Sequence, residues 1–174
     1  LINKLKLSIL SLLFGAVFLA GCNENEANII EGDKHITTEM DEVISNFIIQ
    51  KNSTSYFGTE KQFEVHKIYG TSESNGVLSV YMWSYYGGFN KSTGIENQAG
   101  HSLPAVIRLS KKEGNYSVIE YKEPQDGSLY NASLEKMFPN KYLKFAKQDS
   151  GNIGGLQKAM DKKVGRWLEE QEEL

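Results

Sequence analysis

Val77-Leu78-Ser79-Val80-Tyr81-Met82-Trp83-Ser84-Tyr85-Tyr86 is the segment around which the rest of the chain is organised. It is dominated by valine and aromatic side chains, the residue types that suit a pleated, half-buried surface, and it reads as a β-strand. Alternation along a strand places Tyr81, Trp83 and Tyr85 on one face and Leu78, Val80 and Met82 on the other. The aliphatic face looks like core. The ring face has two readings. It packs against helices, which need an apolar partner, or it forms a recognition surface, since aromatic rings give large contact area at low entropy cost. Tyr86 and Phe89 continue the aromatic run into a glycine-rich stretch, so Tyr81, Trp83, Tyr85, Tyr86 and Phe89 are the candidate binding surface.

On either side of it, Phe63–Tyr69, Ala105–Leu109 and Tyr116–Tyr121 are three further strand-like runs. Ser74-Asn75-Gly76 and Glu113-Gly114-Asn115 are compact hairpin signals between neighbouring runs. Gly87 to Ser102, rich in Gly, Asn and Ser, reads as a long loop of the kind that is often either functional or mobile. Pro124-Gln125-Asp126-Gly127 closes the sheet region with a turn. Before the strands, Thr37 and Thr38 are the two N-cap candidates and Glu39, Asp41 and Glu42 an acidic first turn; Met40, Val43, Ile44, Phe47 and Ile48 then make one apolar helical face. After the strands, Ser133–Phe138 forms a short helix stopped by Pro139, and Leu156, Met160, Val164, Trp167 and Leu168 line a final one. The expected fold is α+β: an N-terminal helix, a four-stranded antiparallel sheet and C-terminal helices, in a single domain spanning residues 35–174.

The start of the chain is different in kind. Lys4 and Lys6 precede the run Leu7–Phe18, in which only Ser8 and Ser11 are polar, and Leu19-Ala20-Gly21-Cys22 follows. That is the layout of an export signal, with a charged n-region, an apolar h-region and small residues before the cut. About 13 strongly apolar residues are few for a membrane-spanning helix, which needs roughly 20. The four residues Leu19 to Cys22 resemble the lipobox of bacterial lipoproteins. The resemblance implies a signal peptide over residues 1–21, cleavage between Gly21 and Cys22, and diacylglyceryl attachment at Cys22 with acylation of the new amine. The protein would then sit lipid-anchored on the outer face of the bacterial cytoplasmic membrane. Residues 22–34, mostly polar, read as a flexible tether, because so little apolar surface cannot offset chain entropy.

The whole chain carries 19 basic and 22 acidic residues, and two of the lysines lie in the signal, which has no acid. The remaining 153 residues therefore hold 17 basic and 22 acidic side chains, a net charge of −5. This balance argues against a nucleic-acid partner, which needs clustered Lys and Arg. Cys22 is the one cysteine. With its sulfur on lipid, no disulfide is available, and a domain of this size folds on its core alone.

Phe63-Glu64-Val65-His66-Lys67-Ile68-Tyr69-Gly70, Val80-Tyr81-Met82-Trp83, Ser102-Leu103-Pro104-Ala105-Val106, the run Val118 to Tyr130 and Met137-Phe138-Pro139 form a recognisable block. It resembles a poorly characterised extracytoplasmic domain of Firmicutes, found as small lipoproteins and as a C-terminal extension of penicillin-sensor-type membrane metallopeptidases. The likeness covers under half the chain and brings no agreed activity. The His-Glu-x-x-His zinc motif of those peptidases is absent, since none of His35, His66 and His101 is followed by Glu.

Chemistry-bearing motifs are sparse. The three histidines show no i,i+4 pairing that would point to a metal. No Gly-x-Ser-x-Gly elbow, P-loop or dinucleotide fingerprint occurs. Glu120, Glu123 and Asp126 are close in sequence, but Glu-Pro and Asp-Gly are first of all turn chemistry. No catalytic residue, cofactor or metal is assigned. The expectation is a non-catalytic binding or accessory lipoprotein, whose partner beyond the membrane is a wall glycan or a membrane protein. The competing readings are a sensor or inhibitor acting on a neighbouring membrane protein, and a cell-wall hydrolase.

Overall fold

The computed structural model describes residues 30–32, 36–55 and 58–173. The signal sequence, Cys22 and most of the segment read as a tether lie outside the described residues. The described elements run β1 (Ile30–Gly32), α1 (Thr38–Asn52), β2 (Lys61–Ser74), β3 (Val77–Phe89), β4 (Ala99–Lys112), β5 (Asn115–Lys122), α2 (Tyr130–Met137), α3 (Asn140–Asp149) and α4 (Gly154–Glu172). No helix among the described residues is long and apolar enough to cross a membrane.

The fold is α+β, built on one antiparallel meander in the order β1-β2-β3-β4-β5. Two two-residue turns set its register. Asn75 and Gly76 join β2 to β3, and Glu113 and Gly114 join β4 to β5; all four have positive φ, as the tight hairpin turn requires. The four expected strands are present, and each is longer than its apolar run. A fifth, β1, arises within the segment read as tether and pairs with Thr71–Glu73 of β2.

Gly87 to Ser102 is not one long loop, and that expectation is corrected. Gly87 pairs with Gly100 and Gly88 with Ala99, so the connection shrinks to residues 90–98. The glycines serve close approach of two backbones, because a Cβ on Gly100 would collide with the Tyr86 carbonyl oxygen.

Both faces of the sheet are covered. α1 begins at an N-cap where Thr37 Oγ1 accepts the Met40 N–H at 3.2 Å. It lays Met40, Ile44 and Ile48 on Val80, Met82, Tyr86, Ala105, Ile107 and Leu109. On the opposite face α2, α3 and α4 bury Leu134, Phe138, Tyr142, Ala146, Leu156, Met160 and Val164 against Tyr81, Trp83, Tyr85 and Phe89. From Val80 to Phe89 every residue of β3 is buried. The central strand is thus apolar on both faces because helices lie on both sides.

Both sheet edges are blunted. On β5 the register slips opposite Arg108 and Leu109, leaving Ile119 without a partner, and Glu39 of α1 accepts the Tyr116 N–H at 3.2 Å. On β2, Lys163 of α4 donates to the Glu64 carbonyl at 2.9 Å. Bulges and capping charges of this kind discourage further strand pairing.

Candidate functional site

The candidate aromatic surface is core. Tyr81, Trp83 and Tyr85 are 9%, 4% and 5% exposed, and Tyr86 and Phe89 are fully buried. Tyr81 lies between Tyr142 and Phe138, at 5.0 and 5.7 Å between ring centroids. Each polar ring atom in the row has its own partner: Tyr81 Oη with Ser72 at 3.0 Å, Trp83 Nε1 donating to Ser102 at 2.6 Å, and Tyr85 Oη accepting from Asn97 at 3.1 Å. Tyr86 belongs to the other face, stacked on His101. Apart from the edge of Tyr81 that lines a cleft beside α2, the row therefore does not offer free rings to a ligand, because α2, α3 and α4 take it as their floor.

Beneath α1 lies a polar cluster that no sequence motif announces. Glu64 on β2 is fully buried. It accepts 2.7 Å hydrogen bonds from Ser45 of α1 on one oxygen and Ser84 of β3 on the other. His66 Nδ1 lies 3.1 Å from Glu64 Oε2, and its Nε2 is 3.1 Å from Asp41 Oδ1. Burial alone would push the His66 pKa down, but the two carboxylates win and raise it to about 9. The imidazolium in turn holds the Asp41 carboxyl below its ordinary value. The cluster contains serines, a histidine and acids, yet it is no nucleophile–base pair. His66 is already protonated at neutral pH, and both serine hydroxyls spend their protons on Glu64. It is a clamp that ties α1 to β2 and β3.

An open concavity, one of several of comparable size, lies on the other side of the sheet between β3–β5 and α2, with a volume of about 500 Å³. That is within the range of small-molecule sites. Its floor is Tyr81, Val106 and Met137, and Ala132, Ser133 and Lys136 of α2 form one wall. Strand alternation brings Arg108 of β4 and Glu120 and Lys122 of β5 onto the opposite wall. Glu120 accepts from Arg108 Nη1 at 3.0 Å and pairs with Lys122 Nζ at 2.7 Å. Those two cations hold the Glu120 carboxyl below its ordinary value. Gln125 and Leu129 stand at the mouth, where Leu129 is 55% exposed. Ser133 Oγ accepts the Gln125 N–H at 2.8 Å and so fixes the turn after β5.

Of the acids noted from sequence, only Glu120 and Glu123 line this cleft, and Glu123 pairs outward with Lys51 of α1 at 3.7 Å. The two are engaged by cations rather than set as an acid–base pair. Arg108, Lys122 and Lys136 were missed by sequence reading. A signal existed for one of them, since Glu120 and Lys122 share strand parity, but Lys136 arrives from a helix. His35 and Cys22 lie outside the described residues. Among those residues, no group of three or more His, Cys, Asp or Glu is placed to hold a metal. Comparisons with protein families, curated proteins and solved structures found no match.

Proposed function

We propose that this chain is a lipid-anchored binding module on the outer face of the bacterial cytoplasmic membrane, acting without catalysis through the cleft between α2 and β3–β5. The cleft carries the binding half of the reading. There an open concavity, an apolar floor and side chains with spare hydrogen-bonding capacity converge, whereas the Glu64 carboxylate at the centre of the histidine cluster is buried and already holds Ser45, Ser84 and His66. The anchoring half rests on Leu19-Ala20-Gly21-Cys22 and its resemblance to a lipobox. Two acyl chains hold a protein at a membrane that one chain holds only marginally.

Expression of the full chain in a bacterium fed a labelled fatty acid tests the anchor. Wild type should take up label and fractionate with membranes, while Cys22→Ala should remain an unlabelled precursor. Label on the Ala variant would refute lipid attachment at Cys22. For the cleft, Ala132→Trp is the informative change, since Ala132 is exposed on α2 and faces the cavity. Small organic fragments that bind the wild-type chain should lose binding to Ala132→Trp while its unfolding midpoint stays in place. Fragments that bind both proteins equally would move the site elsewhere.

A further inference from the structure

We infer that the cleft takes a small organic anion, a carboxylate or phosphate monoester carried on an apolar body, with the anionic group held by Arg108, Lys122 and Lys136. The inference deepens the binding-module reading and rests on it. Three cations line the cleft around Glu120, whose two oxygens are shared between Arg108 and Lys122. Glu123 is engaged by Lys51. Lys136 has no ion-pair partner among the described residues. The result is local cation excess on a chain whose net charge is −3, so the charge of this wall runs against that of the molecule.

The donors also suit the ligand. Arg108 uses Nη1 on Glu120, and a guanidinium carries five N–H donors in a planar fork that matches carboxylate and phosphate oxygens. Lys122 keeps two of its three ammonium protons beyond its contact with Glu120. Val106 and Met137 below, with Leu129 projecting at the mouth, give an apolar body somewhere to lie. Bare inorganic anions would leave that surface unused. Glu120 has a second role: it holds Arg108 and Lys122 in position and competes with an incoming anion for them.

Titration of the full chain in a neutral detergent with 3-phenylpropionate, phenyl phosphate and the uncharged 3-phenylpropanol, followed by ligand-observed NMR, tests this. Both anions should bind saturably and more tightly than the alcohol, and their binding should weaken with added salt. Lys136→Gln should weaken the anions about two- to fivefold, and Glu120→Gln should tighten them by a similar factor, as expected for single exposed charge contacts. Neither variant should change alcohol binding. If the alcohol matches the anions and Ala132→Trp displaces all three, the anionic class is wrong while the cleft remains the site. If Ala132→Trp leaves anion binding intact, or no probe binds, the anion site is refuted along with the cleft reading.

Discussion

Raising the pH from 6 to 9.5 should destabilise this protein by about 3 kcal/mol, through one buried side chain. In the fold His66 titrates at about 9, against 6.5 for an ordinary histidine. The folded state therefore holds the proton more tightly than the unfolded chain. The stabilisation is fully present below 6.5 and is lost as pH rises through about 9. A difference of that size corresponds to about 3 kcal/mol. The charged groups against His66 are Asp41 from α1 and Glu64 from its own strand, and Lys163 of α4 acts on Asp41. Asp41 acts in the opposite window, since its lowered pKa contributes stability that is lost only as pH falls into the acid range. Urea melts followed by fluorescence of Trp83 and Trp167, the two tryptophans, should show a midpoint drop of about 1–2 M across this range, for a urea slope of about 2 kcal/mol per molar. The double variant Glu64→Gln/His66→Gln removes the titrating imidazole together with the buried carboxylate beside it and should flatten the profile. A wild-type midpoint that holds steady from pH 6 to 9.5, or an equal slope in the double variant, would refute the argument.

Two substitutions probe the packing. Trp83→Ala should cost about 3–5 kcal/mol in denaturant melts, through the lost side chain and the cavity left under the helices; a change within about 0.5 kcal/mol would return the aromatic row to the surface. Among glycines, Gly100→Ala should destabilise by about 1–3 kcal/mol because its new methyl meets the Tyr86 backbone. Gly165→Ala in α4, with open space around it, should instead stabilise by about 0.5–1 kcal/mol. Equal effects at the two positions would show that backbone approach is not what selects glycine at 100.

The parts legible in the sequence were those written locally. Asn75-Gly76 and Glu113-Gly114 are turns whose chemistry resides in the residues themselves, and Thr37 caps α1 from within its own first turn. α3 was not legible. Pro139 reads as a stop, yet its carbonyl accepts the Tyr142 and Leu143 N–H groups at 2.9 Å, so the residue that ends α2 also opens α3. Lysines at 141, 144 and 147 hide the narrow stripe of Tyr142 and Ala146 that faces the core. The glycines of Gly87 to Ser102 misled for a related reason, since a strand glycine that admits a neighbouring backbone has the same letter as a loop glycine. The ring row on β3 left two readings open, and strand parity could not tell them apart. Only the helices on the far face decide between them. The histidine clamp draws on α1, β2 and β3, and the cleft on β3, β4, β5 and α2, so neither exists at any single place in the chain.

β1 has a mechanical consequence. A pull transmitted along the backbone at Ile30 meets three residue pairs on Thr71–Glu73, whereas α1 is fastened by the buried Ser45–Glu64 hydrogen bond and an apolar face. Tension will peel β1 first, because each ladder hydrogen bond contributes only about 0.5–1.5 kcal/mol net. Release would free the three residues of β1 from the sheet, up to about 10 Å of extended chain, with the core intact. The short strand works as a catch on a leash, fixing how near the domain rides to whatever holds its N-terminal segment.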